Sequence, residues 1–507
     1  MRDIMKMMEN ETRNEKTFTE NGAVAYKSSG EDLTDFVFAI TALRSADDST
    51  ITELFRKAFF SNPKIATLAL FWTRDCRGGN GERRIFRVCM EWLGKVRPEY
   101  AKAVLRLVPE YGFWGDLVSL LNTNLRNDIL EIIKHQMDED CTNMEKHRPI
   151  SLMAKWLPSE NASSKEIRRL SHVVREHLGF TERYYRKRLS AMRKYLDVVE
   201  RKMAANEWDQ INYETVPSKA NLAYSNAFRR HDGDRYNAYL ESLANGDAKI
   251  NASVLQPNDI VNKYCEALGW WGRQIKEYDP TLEELWKNLP DITIGNTLVV
   301  RDGSGSMTST YMGSKVAPMD VATGLAIFMA ENNTGIWKHK FITFSHSPRI
   351  VSIEQCKNLR EKIIHCMEEN ECSNTNIEAT MDLILNTAIK NGCSQEEMPG
   401  NIIIISDMQF DHGTCGRTDK SLFDNIAYKY ENAGYLMPKI VFWNVAGSVN
   451  KTIPMQKNKL GVILVSGFSV QLLNMVMSGE TDPYKAILKT LNSERYTPVA
   501  NALENIN

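Results

Sequence analysis

The sequence has no cysteine pair spaced C-x-x-C, although it holds nine cysteines among its 507 residues. That spacing is the one structural zinc sites use, so zinc-finger and zinc-ribbon classes drop out. An odd number of cysteines with no paired framework also fits a reduced chain better than a disulfide scaffold. No apolar run approaches the roughly 18 residues of a membrane span. Residues 1–13 mix Arg, Asp, Lys and Glu without an apolar stretch of the signal-peptide kind. These absences predict a cytoplasmic chain, with the nucleus the other compartment open to it, and no membrane partner. Net charge is nearly missing as well: Lys+Arg 63 against Asp+Glu 64 leaves −1. A whole-chain electrostatic case for nucleic acid therefore fails, and any such case rests on local patches.

Catalytic signatures are scarce too. There is no G-x-S-x-G elbow and no H-E-x-x-H. Asp302-Gly-Ser304 places Ser where a phosphotransferase of the Asp-x-Asp type needs its second Asp. Arg77-Gly-Gly-Asn-Gly81 has the composition of a phosphate loop but lacks the spacing G-x-x-x-x-G-K-[ST] and any strand before it, so it reads as a tight turn between helices. The nine histidines show no i, i+4 pair. The chain is expected not to be an enzyme.

What is present is ordinary globular chemistry, 43% hydrophobic and 25% charged, at a length that suits two or three domains. From about residue 32 to 275 apolar residues recur at three- and four-residue spacing, as in Phe36, Ile40 and Leu43 or Ile85, Cys89 and Trp92, which predicts helix after helix. Turn signals at Asn62-Pro63, Gly78 to Gly81 and Tyr111-Gly112 cut these helices to hairpin length. With no fixed repeat signature, the expectation is a degenerate HEAT-like stack. Near residue 290 the pattern changes to short apolar runs at 296–300, 340–344, 349–353, 401–405, 439–443 and 460–465. Helical stretches at 319–331, 376–390 and 422–432 separate most of them. That alternation predicts a doubly wound, mostly parallel α/β sheet. The expected division is an extension over 1–30, a helical domain over 31–285, an α/β domain over 290–480 and a C-terminal helix or tail over 481–507.

The strongest local signal is an apolar strand running into Asp302-Gly-Ser304-Gly-Ser306. Asp407 follows four consecutive isoleucines and Ser406 in the same way. If the two strands are parallel neighbours, both carboxylates emerge at one carboxyl edge, where open α/β sheets bind ligands. Asp302, Ser304, Ser306 and Asp407, with Thr375 from the loop before a helix, are hard oxygen donors suited to Mg²⁺ or Mn²⁺. The bland alternative is a polar, Gly-rich turn capping a helix. These residues resemble the metal-ion-dependent adhesion site of a von Willebrand factor A domain, whose pattern is D-x-S-x-S, a later Thr and an Asp after the fourth strand. The resemblance implies that the serines and Thr375 bind the metal directly and the aspartates partly through water. One position would then remain for an acidic residue of a partner protein. Arg301 departs from the small or apolar residue usual before the motif Asp.

The first half resembles a family too. Thr19-Glu-Asn-Gly22, Arg74-Asp-Cys-Arg-Gly-Gly-Asn-Gly-Glu-Arg83, Tyr111-Gly-Phe-Trp-Gly-Asp-Leu117 and Ala154-Lys-Trp-Leu-Pro158 are similar to a domain-of-unknown-function family of TROVE-like proteins. These are related to the Ro autoantigen, in which HEAT-like repeats form a ring closed by an A domain. The resemblance implies binding of single-stranded ends or small noncoding RNA, not DNA, through a basic helical surface. The residues point the same way: residues 165–202 hold twelve Lys or Arg against five Asp or Glu, and 74–106 hold nine against four. Arg183, Arg186, Lys187, Arg188, Arg193 and Lys194, with Tyr184 among them, are the candidate RNA contacts, since cations with interleaved aromatics neutralise phosphates and stack bases. The competing expectation is a metal-dependent protein-interaction scaffold that binds no RNA.

Overall fold

The computed structural model describes residues 16–18, 24–26, 28–268, 272–308, 316–370, 376–408, 422–446, 462–477, 480, 482–504 and 506. The chain forms two compact units, one of residues 1–63 with 252–492, the other of 64–251 with 493–507.

The first unit is built on a six-stranded sheet: β1 (Thr297–Asp302), β2 (Lys340–Phe344), β3 (Ile350–Ser352), β4 (Asn401–Ser406), β5 (Lys439–Asn444) and β6 (Val462–Ser466). The strand order is β6-β5-β4-β1-β2-β3. Every neighbouring pair is parallel except β2 with β3. Such a sheet must be covered on both faces, which is why its strands read as unbroken apolar runs. Ile402 to Ile405 are all fully buried. Leu298, Val300, Ile402, Ile404, Ile440 and Phe442 form one core with Met381 and Leu385 of helix Ile377–Asn391 and with Ile426 and Tyr430 of helix Leu422–Asn432. Helix Pro318–Glu331 is buried from Pro318 to Ala330, and its apolar surface runs all round. The order turns back on itself between β1 and β4, so the crevice at the carboxyl ends of those two strands is the switch point of the sheet.

The helices at 32–61, 257–264 and 280–287, expected with the helical domain, fall within the compact α/β unit. Phe38 joins the sheet core. The Thr41 N–H donates to Ser466 Oγ at 3.1 Å, and that hydroxyl donates to Thr41 Oγ1 at 2.7 Å. A Cβ on Gly324 would lie 3.0 Å from the Pro257 carbonyl carbon, so helix Pro257–Tyr264 crosses helix Pro318–Glu331 at close range. Residues 265–268 and 272–275, expected as helix, pair as antiparallel strands from Cys265↔Ile275 to Leu268↔Gly272. The expected C-terminal tail is also divided. Helix Pro483–Leu491 goes with the sheet, and residues 493–507 go with the helical unit.

The helical unit begins at Lys64 within helix Pro63–Arg74 and continues through Arg83–Val96, Pro98–Val104, Arg126–Glu145, Lys165–His177, Glu182–Tyr195, Ser218–His231 and Gly233–Asn245. The glycine-rich segment after Arg74 is a helix end. Gly79 and Gly81 donate to the Asp75 carbonyl at 3.2 and 3.1 Å, and Asn80 donates to the Trp72 carbonyl at 3.2 Å. These N–H groups satisfy the last carbonyls of the helix, as a C-cap requires. A Cβ on Gly79 would meet the Trp72 oxygen at 1.9 Å, so only glycine lets the chain fold back here. The same segment holds the end of the chain. Buried Asp75 accepts from Arg495 at 2.9 and 3.1 Å and from the Tyr496 hydroxyl at 3.2 Å. Tyr111 donates to the Arg495 carbonyl at 2.6 Å and stacks on Tyr496.

Candidate functional site

Parallel pairing in the register Arg301↔Ile405 brings Asp302 level with Ser406 at the switch point. Asp302 is fully buried. Its Oδ2 accepts from the Ser406 hydroxyl at 2.6 Å and its Oδ1 from the Ser304 N–H at 2.9 Å. Burial, and then the neighbouring charge of Asp407, push its pKa well above the ordinary carboxylate range, and the hydrogen bonds from Ser406 and Ser304 only partly oppose them. Asp407 is buried as well. The Ser304 and Ser306 hydroxyls lie 3.0 Å apart, Ser304 buried and Ser306 exposed at the rim. The structure thus brings Asp302, Ser304, Ser306 and Asp407 to one strand edge. Thr375 lies outside the described residues, as does the motif at 19–22. Among the described residues no three His, Cys, Asp or Glu side chains could hold a metal ion together, so a cation here would depend on hydroxyls as much as on carboxylates.

Two features shape this edge. Arg301 points to the opposite face from Val300 and is buried, giving hydrogen bonds to Thr323 Oγ1 (2.9 and 3.2 Å), the Cys366 carbonyl (3.1 Å) and Asn370 Oδ1 (2.8 Å). It ties the strand that carries Asp302 to the end of helix Leu359–Glu368 and to Asn370. Met408, directly after Asp407, has φ +65°, a left-handed conformation that a residue with a side chain adopts at a cost. Its N–H donates to Ser406 Oγ at 3.1 Å, which anchors the turn. Ser406 is the member the sequence reading missed. Its signal was a hydroxyl at the last position of an apolar strand, opposite the motif aspartate.

The basic residues of helix Glu182–Tyr195 divide into two groups. Arg183, Arg186, Lys187 and Lys194 are exposed, and so is Tyr184. Arg188 is half-buried, lies over the Tyr184 ring at 5.2 Å and donates to its hydroxyl. Arg193 is the correction. Its guanidinium donates to the Ala154 and Leu157 carbonyls at 2.8 and 2.9 Å and to Ser159 Oγ at 2.9 Å. With the buried Tyr185, which donates to the Pro158 carbonyl at 2.9 Å, it fixes the turn at 154–159, and each of its three nitrogens already donates there.

Fold and site together define an open, doubly wound α/β protein with a carboxylate and hydroxyl cluster at its switch point, coupled in one chain to a helical unit. The chain belongs to the family described as Domain of unknown function (DUF2828), which it matches over residues 19–148 and 160–291. Residues 296–501 match a second family, Domain of unknown function (DUF7788). The chain is also similar to Uncharacterized protein L728 of Acanthamoeba polyphaga mimivirus, with 31% identity over 525 residues, 95% of this chain and 88% of that protein. The two family matches meet between 291 and 296, where the apolar pattern changes, and not where the compact units divide. Among the described residues no helix is long and apolar enough to cross a membrane.

Proposed function

We propose that the protein is a non-enzymatic binding protein with a von Willebrand A-type domain. In this reading Asp302, Ser304, Ser306, Asp407 and Thr375 hold Mg²⁺ or Mn²⁺, and the metal site captures an acidic residue of a protein partner. The observation that supports it is the meeting of two buried carboxylates beside paired hydroxyls at the switch point. Like charges brought together out of water destabilise a fold unless a cation answers them. The donors are the hard oxygens such a cation prefers. Bound there, the ion would supply an electrophilic position for a carboxylate ligand. Ser406 and the Ser304 N–H orient Asp302, and the exposed Ser306 lies on the side a partner would approach. Titration with Mg²⁺ and Mn²⁺, followed by thermal melting, tests the site. A saturable stabilisation that Asp302→Ala abolishes is expected, and a wild-type melt indifferent to both ions would overturn the reading.

A second activity is supported by the exposed cations of helix Glu182–Tyr195 around Tyr184. The helical unit, HEAT-like as in Ro-like proteins, binds single-stranded or small noncoding RNA in the cytoplasm or nucleus. Binding should fall steeply with salt and weaken in Arg186→Ala/Lys187→Ala. If no RNA binds at low salt while metal-dependent capture stands, the protein is a protein-interaction scaffold alone.

A further inference from the structure

We infer that Phe113, Trp156 and Arg83 form a second contact point for single-stranded RNA, which takes a base on the exposed indole and the adjoining phosphate on the guanidinium. This rests on the reading of the helical unit as RNA-binding. Three motifs far apart in sequence, at 74–83, 111–117 and 154–158, converge on this surface. Trp156 and Phe113 lie with ring centroids 4.3 Å apart. Three guanidiniums surround the Phe113 ring, those of Arg83, Arg74 and Arg87 at 4.5, 5.4 and 5.7 Å.

Two of the three are already answered. Buried Asp116 accepts from Arg74 Nε at 2.7 Å and from Arg87 Nε at 2.9 Å. Arg83 is exposed, and among the described residues it makes no hydrogen bond or ion pair. Partial burial, Arg74 and Arg87 together outweigh the support that nearby Asp116 gives its charged form, so an anion arriving there would relieve a local excess of positive charge. The aromatic surface is held in place. A Cβ on Gly115 would meet Phe113 Cε2 at 2.2 Å, and one on Gly112 would meet Asp116 Oδ2 at 2.3 Å, so both glycines are needed for the ring and the carboxylate to sit as they do. Trp156 remains 39% exposed. A rigid, partly exposed aromatic beside an unanswered guanidinium suits a stacked base and its phosphate, and it tolerates any sequence, because every base has a π-face.

The test is fluorescence anisotropy with a labelled, unstructured RNA dodecamer at several salt concentrations, using the full chain. Trp156→Ala should weaken binding roughly ten-fold, with Trp156→Phe recovering most of the loss. Arg83→Gln should weaken binding evenly across sequences and lower the salt slope by about one. Since Arg83 is exposed and its contact is the face of the Phe113 ring, its variant should melt close to the wild type. Wild-type binding that Arg186→Ala/Lys187→Ala weakens but Arg83→Gln and Trp156→Ala leave unchanged would overturn this contact point and spare the RNA reading. Absence of wild-type binding at low salt would overturn both.

Discussion

Two pairs of buried aspartates, one pair in each unit, are held in opposite ways. In the helical unit Asp116 is matched by Arg74 and Arg87, and Asp75 by Arg495 and the Tyr496 hydroxyl. In the α/β unit Asp302 and Asp407 are buried beside each other, and the nearby Arg301 gives its hydrogen bonds to neutral oxygens and the Met319 sulfur. Matched charge fixes a fold, because its energy is complete within the chain. A carboxylate whose pKa is raised by burial and then by a neighbouring carboxylate is a candidate for completion by something from outside. By that criterion the two motifs at 74–83 and 111–117 are first a clasp for the end of the chain, while the Asp302 turn is the place proposed for a ligand.

The contrast breaks most sharply at Asp116. Asp116→Ala leaves Arg74 buried without its carboxylate, which should cost about 3–5 kcal/mol in denaturant unfolding. A loss under about 1 kcal/mol would mean that the match is not what stabilises this unit. Arg495→Ala is the milder version. Asp75 keeps the Tyr496 hydroxyl and the Arg77 N–H, so a cost of about 2–3 kcal/mol is expected, with hydrogen exchange quickening at the helix end near Asp75. Protection unchanged there would show that the C-terminal segment is not clasped through this pair.

Asp302→Asn should move stability the other way. The folded-state pKa of Asp302 is raised, so below the unfolded value near 4 the carboxyl is neutral in both states and the variant and wild type should match. As pH rises from about 4 to neutrality the metal-free wild type loses stability while the variant does not, opening a gap of about 1–2 kcal/mol in favour of Asn. The same substitution should remove the Mg²⁺-dependent rise in melting temperature. A variant less stable than the wild type at neutral pH without metal would place Asp302 with Asp116, as a structural group.

What could be read from residues alone follows the same division. All six strands were legible because a sheet covered on both faces imposes unbroken apolar runs, and Asp302 and Asp407 stood out as the polar residues that end two of them. The helices at 32–61, 257–264 and 280–287 read correctly as helices but pack in the α/β unit, because amphipathic spacing says that a face is buried and not against what. The pairing of 265–268 with 272–275 was hidden in a helical pattern for a related reason, since pairing between strands leaves little mark on so short a stretch. Arg193 and Arg186 look alike in a basic run. What separates them is the set of carbonyls at 154 and 157, and that depends on tertiary contact.

The smallest expected effect on stability is also the one that sharpens the comparison most. Arg186 and Lys187 are exposed, and Arg186 makes only a 3.6 Å pair with Glu182 one helical turn away, a contact of a few tenths of a kcal/mol. Arg186→Ala/Lys187→Ala should therefore shift unfolding by no more than about 0.5 kcal/mol while weakening RNA binding at low salt. Arg193→Ala, on the same helix, should do the reverse, loosening the turn at 154–159 and lowering the melting temperature, and carrying Trp156 with it. If the double variant destabilised the fold as much as Arg193→Ala did, matched and unmatched charge would not be separable on this helix. The exposed cations would then belong to the architecture and not to a binding surface.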